Sequence, residues 1–343
     1  MKFREIVQNP RRQHCLRVRA HVEQATRDYF REAGFWETRT PLLVPSPGME
    51  PHIRPFQVTG HGHGFTRPVF LPTSPEFAMK RLLAGGLEKI FQIAPAFRDE
   101  PVSPIHHPEF TMLEWYRARA PLDALMADVE ALFRRWAGKD HFTYQGKEIS
   151  LGGPWPRRRT RELFQEYLGI DLGRATSADL SHACTGLGLP RNETDTWDDL
   201  YFKLWLNQIE PKLPTDRPLF VTHYPESQAA LARVEPDADG TRWAQRFEVY
   251  VGGFELANAF HELTDPQEQR RRFAADMELR ARIYGADFPK TPVDDGFLQA
   301  LDEGLPESSG IALGLDRAIL LLADETDIDY ACWLPPFRPE SAT

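Results

Sequence analysis

Cysteine is scarce in this chain. Cys15, Cys184 and Cys332 are odd in number and far apart, which excludes a disulfide framework and a zinc spacing and reads as free thiols in a reducing cytosol. Long hydrophobic runs are missing as well. The most apolar late stretch, Ile311 to Ala323, is broken by Asp316 and Arg317, far short of the ~20 residues a spanning helix needs. Met1 to Gln8 has no apolar core of signal-peptide length. There is no basic excess: 41 Lys+Arg stand against 50 Asp+Glu, a net charge of −9. That disfavours a nucleic-acid backbone as the main partner, and the triplets Arg157-Arg158-Arg159 and Arg270-Arg271-Arg272 are short enough to be solvated faces. No Walker A loop, G-x-G-x-x-G or nucleophile elbow occurs, so any nucleotide must be held by side chains on a sheet.

What is present describes a globular protein. Of 343 residues, 41% are hydrophobic and 11% aromatic, a length that suits about two domains or one large one with an insertion. Apolar residues at Cys15, Val18, Val22, Ala25 and Tyr29 predict a helix from about Pro10 to Ala33, stopped at Gly34. A strand-like stretch, Phe35 to Val44, follows, with Pro41 marking an edge or bulge. His61-Gly62-His63-Gly64 reads as a flexible turn rather than a metal site. Strands are expected at Lys89–Ala94 and Glu109–Ala118, and a mostly helical stretch from about 122 to 232. Arg246–Val251 and Phe254–Glu262 flank Gly252-Gly253, a hairpin signal. Asp265-Pro266-Gln267-Glu268 then starts a helix that runs to about Tyr284. Strands outnumber parallel crossovers, so the expected class is α+β, an antiparallel sheet flanked by helices.

The hairpin register can be calculated. A two-residue turn pairs Val251 with Phe254, Tyr250 with Glu255 and Glu248 with Ala257, placing Glu248 and Glu255 diagonally on one face. Either a divalent cation such as Mg²⁺ lies between these like charges or both face solvent. By strict alternation Asn258 and Glu262 share the opposite face, and no bulge is visible to bring Glu255 and Glu262 to one site. In the other strand Phe110, Met112, Glu114 and Tyr116 share a face, where a carboxylate and a phenol among apolar groups could recognise an ammonium, unless this is an ordinary half-buried strand. Arg98 at a strand end, and Arg317 after Gly310-Ile311-Ala312-Leu313-Gly314, suit a phosphate-bearing ligand.

Taken together, these residues resemble a known family. Phe97-Arg98-Asp99-Glu100 with Pro108 to Tyr116 resembles motif 2 of the class II aminoacyl-tRNA synthetases in its lysyl version. Gly310 to Arg317 is similar to motif 3, and the early helix with Thr40-Pro41 to motif 1, the dimer interface of that class. The resemblance implies a single class II catalytic domain over residues 1–343, with the helical insertion at about 122–232 and no room for an anticodon-binding barrel. Leu113 to Arg117, Gln228 to Ala232, Phe260 to Asp265 and Ala312 resemble the truncated branch of the lysyl family that modifies translation elongation factor P.

The resemblance also implies roles. Arg98 and Arg317 would be catalytic, holding the phosphates of ATP, with Asp99, Glu100, His107, Glu255, Leu256 and Gly314 completing the nucleotide site. Ser74, Pro75, Glu76, Glu114, Tyr116, Asn258, Glu262 and Ala312 would bind lysine or (R)-β-lysine, and Glu248 and Glu255 would bind Mg²⁺. His107 stands where the family has an ATP-contacting asparagine. The implied activity is a cytoplasmic, homodimeric, ATP-dependent ligase that forms an aminoacyl-adenylate and passes it to a lysine of elongation factor P, with tRNA unneeded. The rivals are a truncated enzyme charging tRNA or a small amine, an asparagine-synthetase-type enzyme and a catalytically dead paralogue.

Overall fold

In the computed structural model the described residues are 3–60, 68–285 and 291–334; the His61-Gly62-His63-Gly64 turn lies outside them. The first long helix, α1 (Pro10–Glu32), is capped by Asn9, whose side chain accepts from the amides of Arg11 and Arg12, with Pro10 opening the helix as its fixed φ favours. Gly34 follows at φ +78°. Only Trp36–Glu37 of the expected Phe35–Val44 strand joins the main sheet, as β1. Helix α2 (Glu76–Ala84) precedes β2 (Lys89–Phe97) and β3 (Glu109–Ala118), and α3 (Leu122–Ala137) follows them.

The stretch 122–232 is less helical than its sequence suggests. Besides α3 and the helices Thr160–Leu168, Ser177–Gly186 and Trp197–Leu204, it holds a small hairpin (His141–Tyr144 with Lys147–Ser150), the short strand β4 (Arg157–Arg159) and β5 (Leu219–Pro225). Leu219-Phe220-Val221-Thr222 is a buried run rich in β-formers, and sheet pairing on both sides overrides the helical surroundings. Strands β6 (Arg242–Val251) and β7 (Phe254–His261) form the expected hairpin. Helix α4 (Pro266–Tyr284) then leads to β8 (Ser308–Gly314) and α5 (Leu315–Leu322).

The main sheet runs β1-β2-β3-β8-β7-β6-β5-β4, with Val234–Pro236 added beside β6. It is antiparallel except at its edges, where β1–β2 and β4–β5 are parallel. One face is apolar: Phe91, Leu113, Trp115, Phe247, Val249, Ala259, Ile311 and Leu313 pack with Cys15, Val22 and Phe30 of α1, Leu125 and Phe133 of α3, and Ile319 of α5. Buried Asp128 locks this layer. It accepts from Tyr29 Oη at 2.6 Å, Trp115 Nε1 at 3.0 Å and both arms of Arg117 at 2.7 and 2.6 Å, joining α1, β3 and α3.

The turn Ile328–Ala331 is gripped by α1. Arg12 donates to the carbonyls of Asp329 and Cys332, and Arg19 to that of Ala331. The same turn holds the loop after β2: Ile328 N–H reaches Pro104 O at 2.8 Å and His107 Nε2 lies 2.9 Å from Asp329 Oδ1.

Candidate active site

The other face of the sheet lines a cavity of about 750 Å³. Its floor depends on the β6–β7 register. Val251 opposes Phe254 and Tyr250 opposes Glu255, as the turn predicts, but Val249 then opposes Ala257 and Glu248 opposes Asn258, not Ala257. Leu256 is the additional residue of a β-bulge. A bulge shifts every later side chain to the other face, so Leu256, Ala257 and Ala259 enter the apolar core. Glu255, Asn258, Phe260 and Glu262 all line the cavity. Strict alternation had put Asn258 and Glu262 opposite Glu255; the bulge corrects that.

One end of the cavity is cationic. Arg98 follows β2, its guanidinium lies 5.1 Å from the centre of the Phe110 ring, and its buried Nε has no protein partner. Arg317, in the first turn of α5, donates to Glu255 O at 3.0 Å and meets His106 Nε2 at 2.5 Å. Burial and the Arg98 charge lower its pKa, while Glu255 opposes them. Glu100 and His107 line this end; Asp99 instead faces Arg54 at 3.4 Å, away from the lining. Leu256 offers only backbone, its side chain being core. A Cβ added at Gly314 would lie 3.8 Å from Leu256 O, so neighbouring protein does not demand this glycine and its bareness leaves the cavity floor open.

Between the ends stand the hairpin carboxylates. Glu248 is buried and satisfied: Tyr224 and Tyr250 donate to Oε2 at 2.5 and 2.8 Å, and Arg246 to Oε1 at 2.5 Å. Arg246 also donates to Asn258 Oδ1 at 2.9 Å. The Glu255 pKa is pushed up by the protein crowded around it and by the Glu248 charge, against Arg246 and Arg317, although its side chain opens onto the cavity. A carboxylate strained by a like charge can take a hard cation, and Mg²⁺ needs only one or two protein carboxylates when phosphates and water complete its shell. Glu255 fits that role; Glu248 fits it only by loosening Arg246.

The far end is acidic. Glu114 is fully buried, accepts from Tyr116 Oη at 3.0 Å through Oε2, and leaves Oε1 unpartnered. Burial, then the Glu76 charge, push its pKa up to about 8. Glu76 opens α2 after Pro75, its amide capped by Ser74 Oγ at 3.1 Å. Glu262 lies just past β7, and Ala312 sits opposite both Glu114 and Asn258. Sequence reading missed Lys80, whose Nζ lies 2.6 Å from Glu76 Oε1 and 2.5 Å from Glu262 Oε2. Its position four residues after Glu76 on a helix was the available signal. Arg246, two residues before Glu248 on one strand face, was missed likewise.

The chain is also similar to known proteins. A family model described as tRNA synthetases class II (D, K and N) matches residues 1–338. The chain is 39% identical over 314 residues to the elongation factor P–(R)-β-lysine ligase of Enterobacter sp. (strain 638), covering 89% of this chain and 90% of that one. The enzyme of the same name from Erwinia tasmaniensis is 39% identical over 311 residues. A lysine–tRNA ligase from Pelotomaculum thermopropionicum is 34% identical over 98% of this chain, which spans 66% of that enzyme's length.

Proposed function

Because the chain belongs to the class II tRNA synthetase family, we propose that it is an ATP-dependent ligase that activates lysine or (R)-β-lysine and transfers it to a lysine side chain of elongation factor P. The observation that carries this reading is the cavity's polarity. A carboxylate cluster of buried Glu114 and Glu262 with half-buried Glu76 suits the ammonium groups of a diamino acid, and arginines at the other end suit phosphate. Near-full-length likeness to two ligases of that name supports the acceptor.

In the first step a carboxylate oxygen of the amino acid attacks the α-phosphorus of ATP, pyrophosphate leaves, and a mixed anhydride with AMP results. Arg98 and Arg317 bind the phosphates and stabilise the charge developing there; removing one such group typically costs ~10²–10³ in rate. Glu255, with Glu248 behind it, would hold Mg²⁺, which would supply further neutralisation of the phosphates when bound. In the second step the acceptor amine attacks the anhydride carbonyl, loses a proton, and AMP leaves. Proximity is the chain's other contribution, since the acidic end fixes the amino acid while the cationic end fixes its reaction partner.

The methyl of Ala312, between Glu114 and Asn258, trims the space beside the substrate amine. Ala312→Gly is expected to shift preference toward α-lysine; unchanged preference in pyrophosphate exchange would refute that role. For dimerisation we place a second copy of the chain against the segment holding Trp36, Leu42 and Leu43, which are 69%, 40% and 48% exposed. The decisive assay supplies ATP, labelled pyrophosphate and either lysine isomer, then elongation factor P or tRNA. Absence of exchange with both isomers sinks the enzyme reading, and transfer to tRNA alone sinks the acceptor.

A further inference from the structure

Lys80 is an ammonium sealed inside the acidic end of the cavity. Its side chain is 1% exposed, its Nζ is clamped between Glu76 on α2 and Glu262 beyond β7, and the Phe297 ring lies 5.6 Å away. The two carboxylates hold it charged, above the usual lysine range, despite burial. In return it opposes the burial that pushes the Glu262 pKa up. A buried lysine this enclosed cannot reach an external substrate, so its effect must pass through the carboxylates it touches.

We infer that Lys80 is a positioning residue for the amino-acid substrate, an internal counter-ammonium that sets both the spacing and the net charge of the site. With a bound diamino acid drawing all three carboxyls into their ionised form, Glu76, Glu114 and Glu262 against one fixed ammonium leave two negative charges. A diamino acid brings two ammonium groups, and its carboxylate faces the arginines. Lys80 therefore tunes the site to a doubly ammonium-bearing substrate: without it, three crowded carboxylates repel, and one neutralises by taking a proton. This inference rests on reading the cavity as a diamino-acid site.

The test is Lys80→Met, which keeps the unbranched stem, one atom shorter, and removes its charge, assayed by pyrophosphate exchange at pH 7.5. The KM for lysine or β-lysine is expected to rise about tenfold or more, the effect of one carboxylate held a pKa unit above ambient pH. The KM for ATP should stay within about twofold, because the arginine end is untouched. Lys80→Arg keeps the positive charge and leaves all three carboxylates in place. It should retain the amino-acid KM within about threefold of wild type.

Unchanged amino-acid KM in K80M overturns the inference. So does a parallel rise in both KM values, or a K80R variant as impaired as K80M. Should K80M fail to fold, K80R decides alone: folded, with an amino-acid KM within about tenfold of wild type, it supports the inference; misfolded or inactive, it overturns it. A wild-type protein that exchanges with no diamino acid removes the functional reading and this inference with it. Wild-type exchange with an unaltered K80M removes the inference only.

Discussion

Replacing Gly310 by alanine tests the packing of the acidic end with a single methyl group. Gly310 stands opposite Tyr116 on β3 and Phe260 on β7. A Cβ there would lie 2.2 Å from Tyr116 Cε1 and 2.4 Å from Glu262 Oε1. Carbon atoms ordinarily approach to about 3.5–4.0 Å, so the shortfall exceeds an ångström. The Tyr116 ring cannot retreat freely, being 3% exposed and tethered through its hydroxyl to Glu114. Overpacking of this kind costs about 1–3 kcal/mol, whereas alanine in place of a strand glycine gains roughly 0.5–1 kcal/mol. The net, centred near ~1 kcal/mol and at most ~2.5, corresponds to a melting point lowered by roughly 1–3 °C at this chain length. The substrate effect is larger, because Tyr116 and Glu262 move: the amino-acid KM should rise about tenfold to a hundredfold, with ATP KM nearly unchanged. Thermal melting and pyrophosphate exchange on G310A measure both. A variant that melts at or above the wild type with an unaltered amino-acid KM refutes the reasoning, since the backbone gain alone has the opposite sign.

Two further perturbations probe the charges. Glu114 carries a folded-state pKa of about 8 against about 4.3 in an unfolded chain, so its contribution to stability is present below the lower value and lost as pH rises to the upper one. Ligand-free protein should therefore melt progressively lower from pH 5 to 8.5, and the amino-acid KM should fall over pH 6.5–8 as the carboxylate forms. A Glu114→Gln melting curve with the wild-type pH slope would contradict this. Asp128→Ala strands Arg117, Trp115 and Tyr29 without their acceptor. It should destabilise by about 3 kcal/mol or more, read by denaturant melts, and a midpoint indistinguishable from wild type would show that water replaces the carboxylate.

The parts legible in the sequence were those with local causes. Helix α1 follows from Asn9-Pro10 and its apolar stripe, α4 from Asp265-Pro266, and the hairpin from Gly252-Gly253, whose φ values of +61° and +88° suit glycine. The face shared by Phe110, Met112, Glu114 and Tyr116 followed from alternation, and all four line the cavity. The bulge at Leu256 was missed because alternation was extended past the turn unbroken. The adjacent apolar pair Leu256-Ala257, followed by polar Asn258, was its trace. Strand β5 was hidden by the helical segments before it, and Phe35–Val44 mostly lacks main-sheet partners, which no local pattern encodes. Lys80 was missed for a different reason: an i,i+4 pair with Glu76 ordinarily faces water, and burial becomes tolerable once Glu262, 182 residues further on, adds a second carboxylate.

The grip of α1 on the Ile328–Ala331 turn has a consequence for biosynthesis. His107 leaves the ribosome early, and its partner Asp329 follows 222 residues later. Until then the loop carrying His106 and His107 lacks that anchor, and Arg317, which meets His106, has only just been made. The acidic end waits as long: β8 (Ser308–Gly314), which carries Ala312 and joins β3 to β7, is made just before Arg317. Both halves of the site therefore become ready together, and neither amino acid nor ATP finds a finished site until the chain is nearly complete.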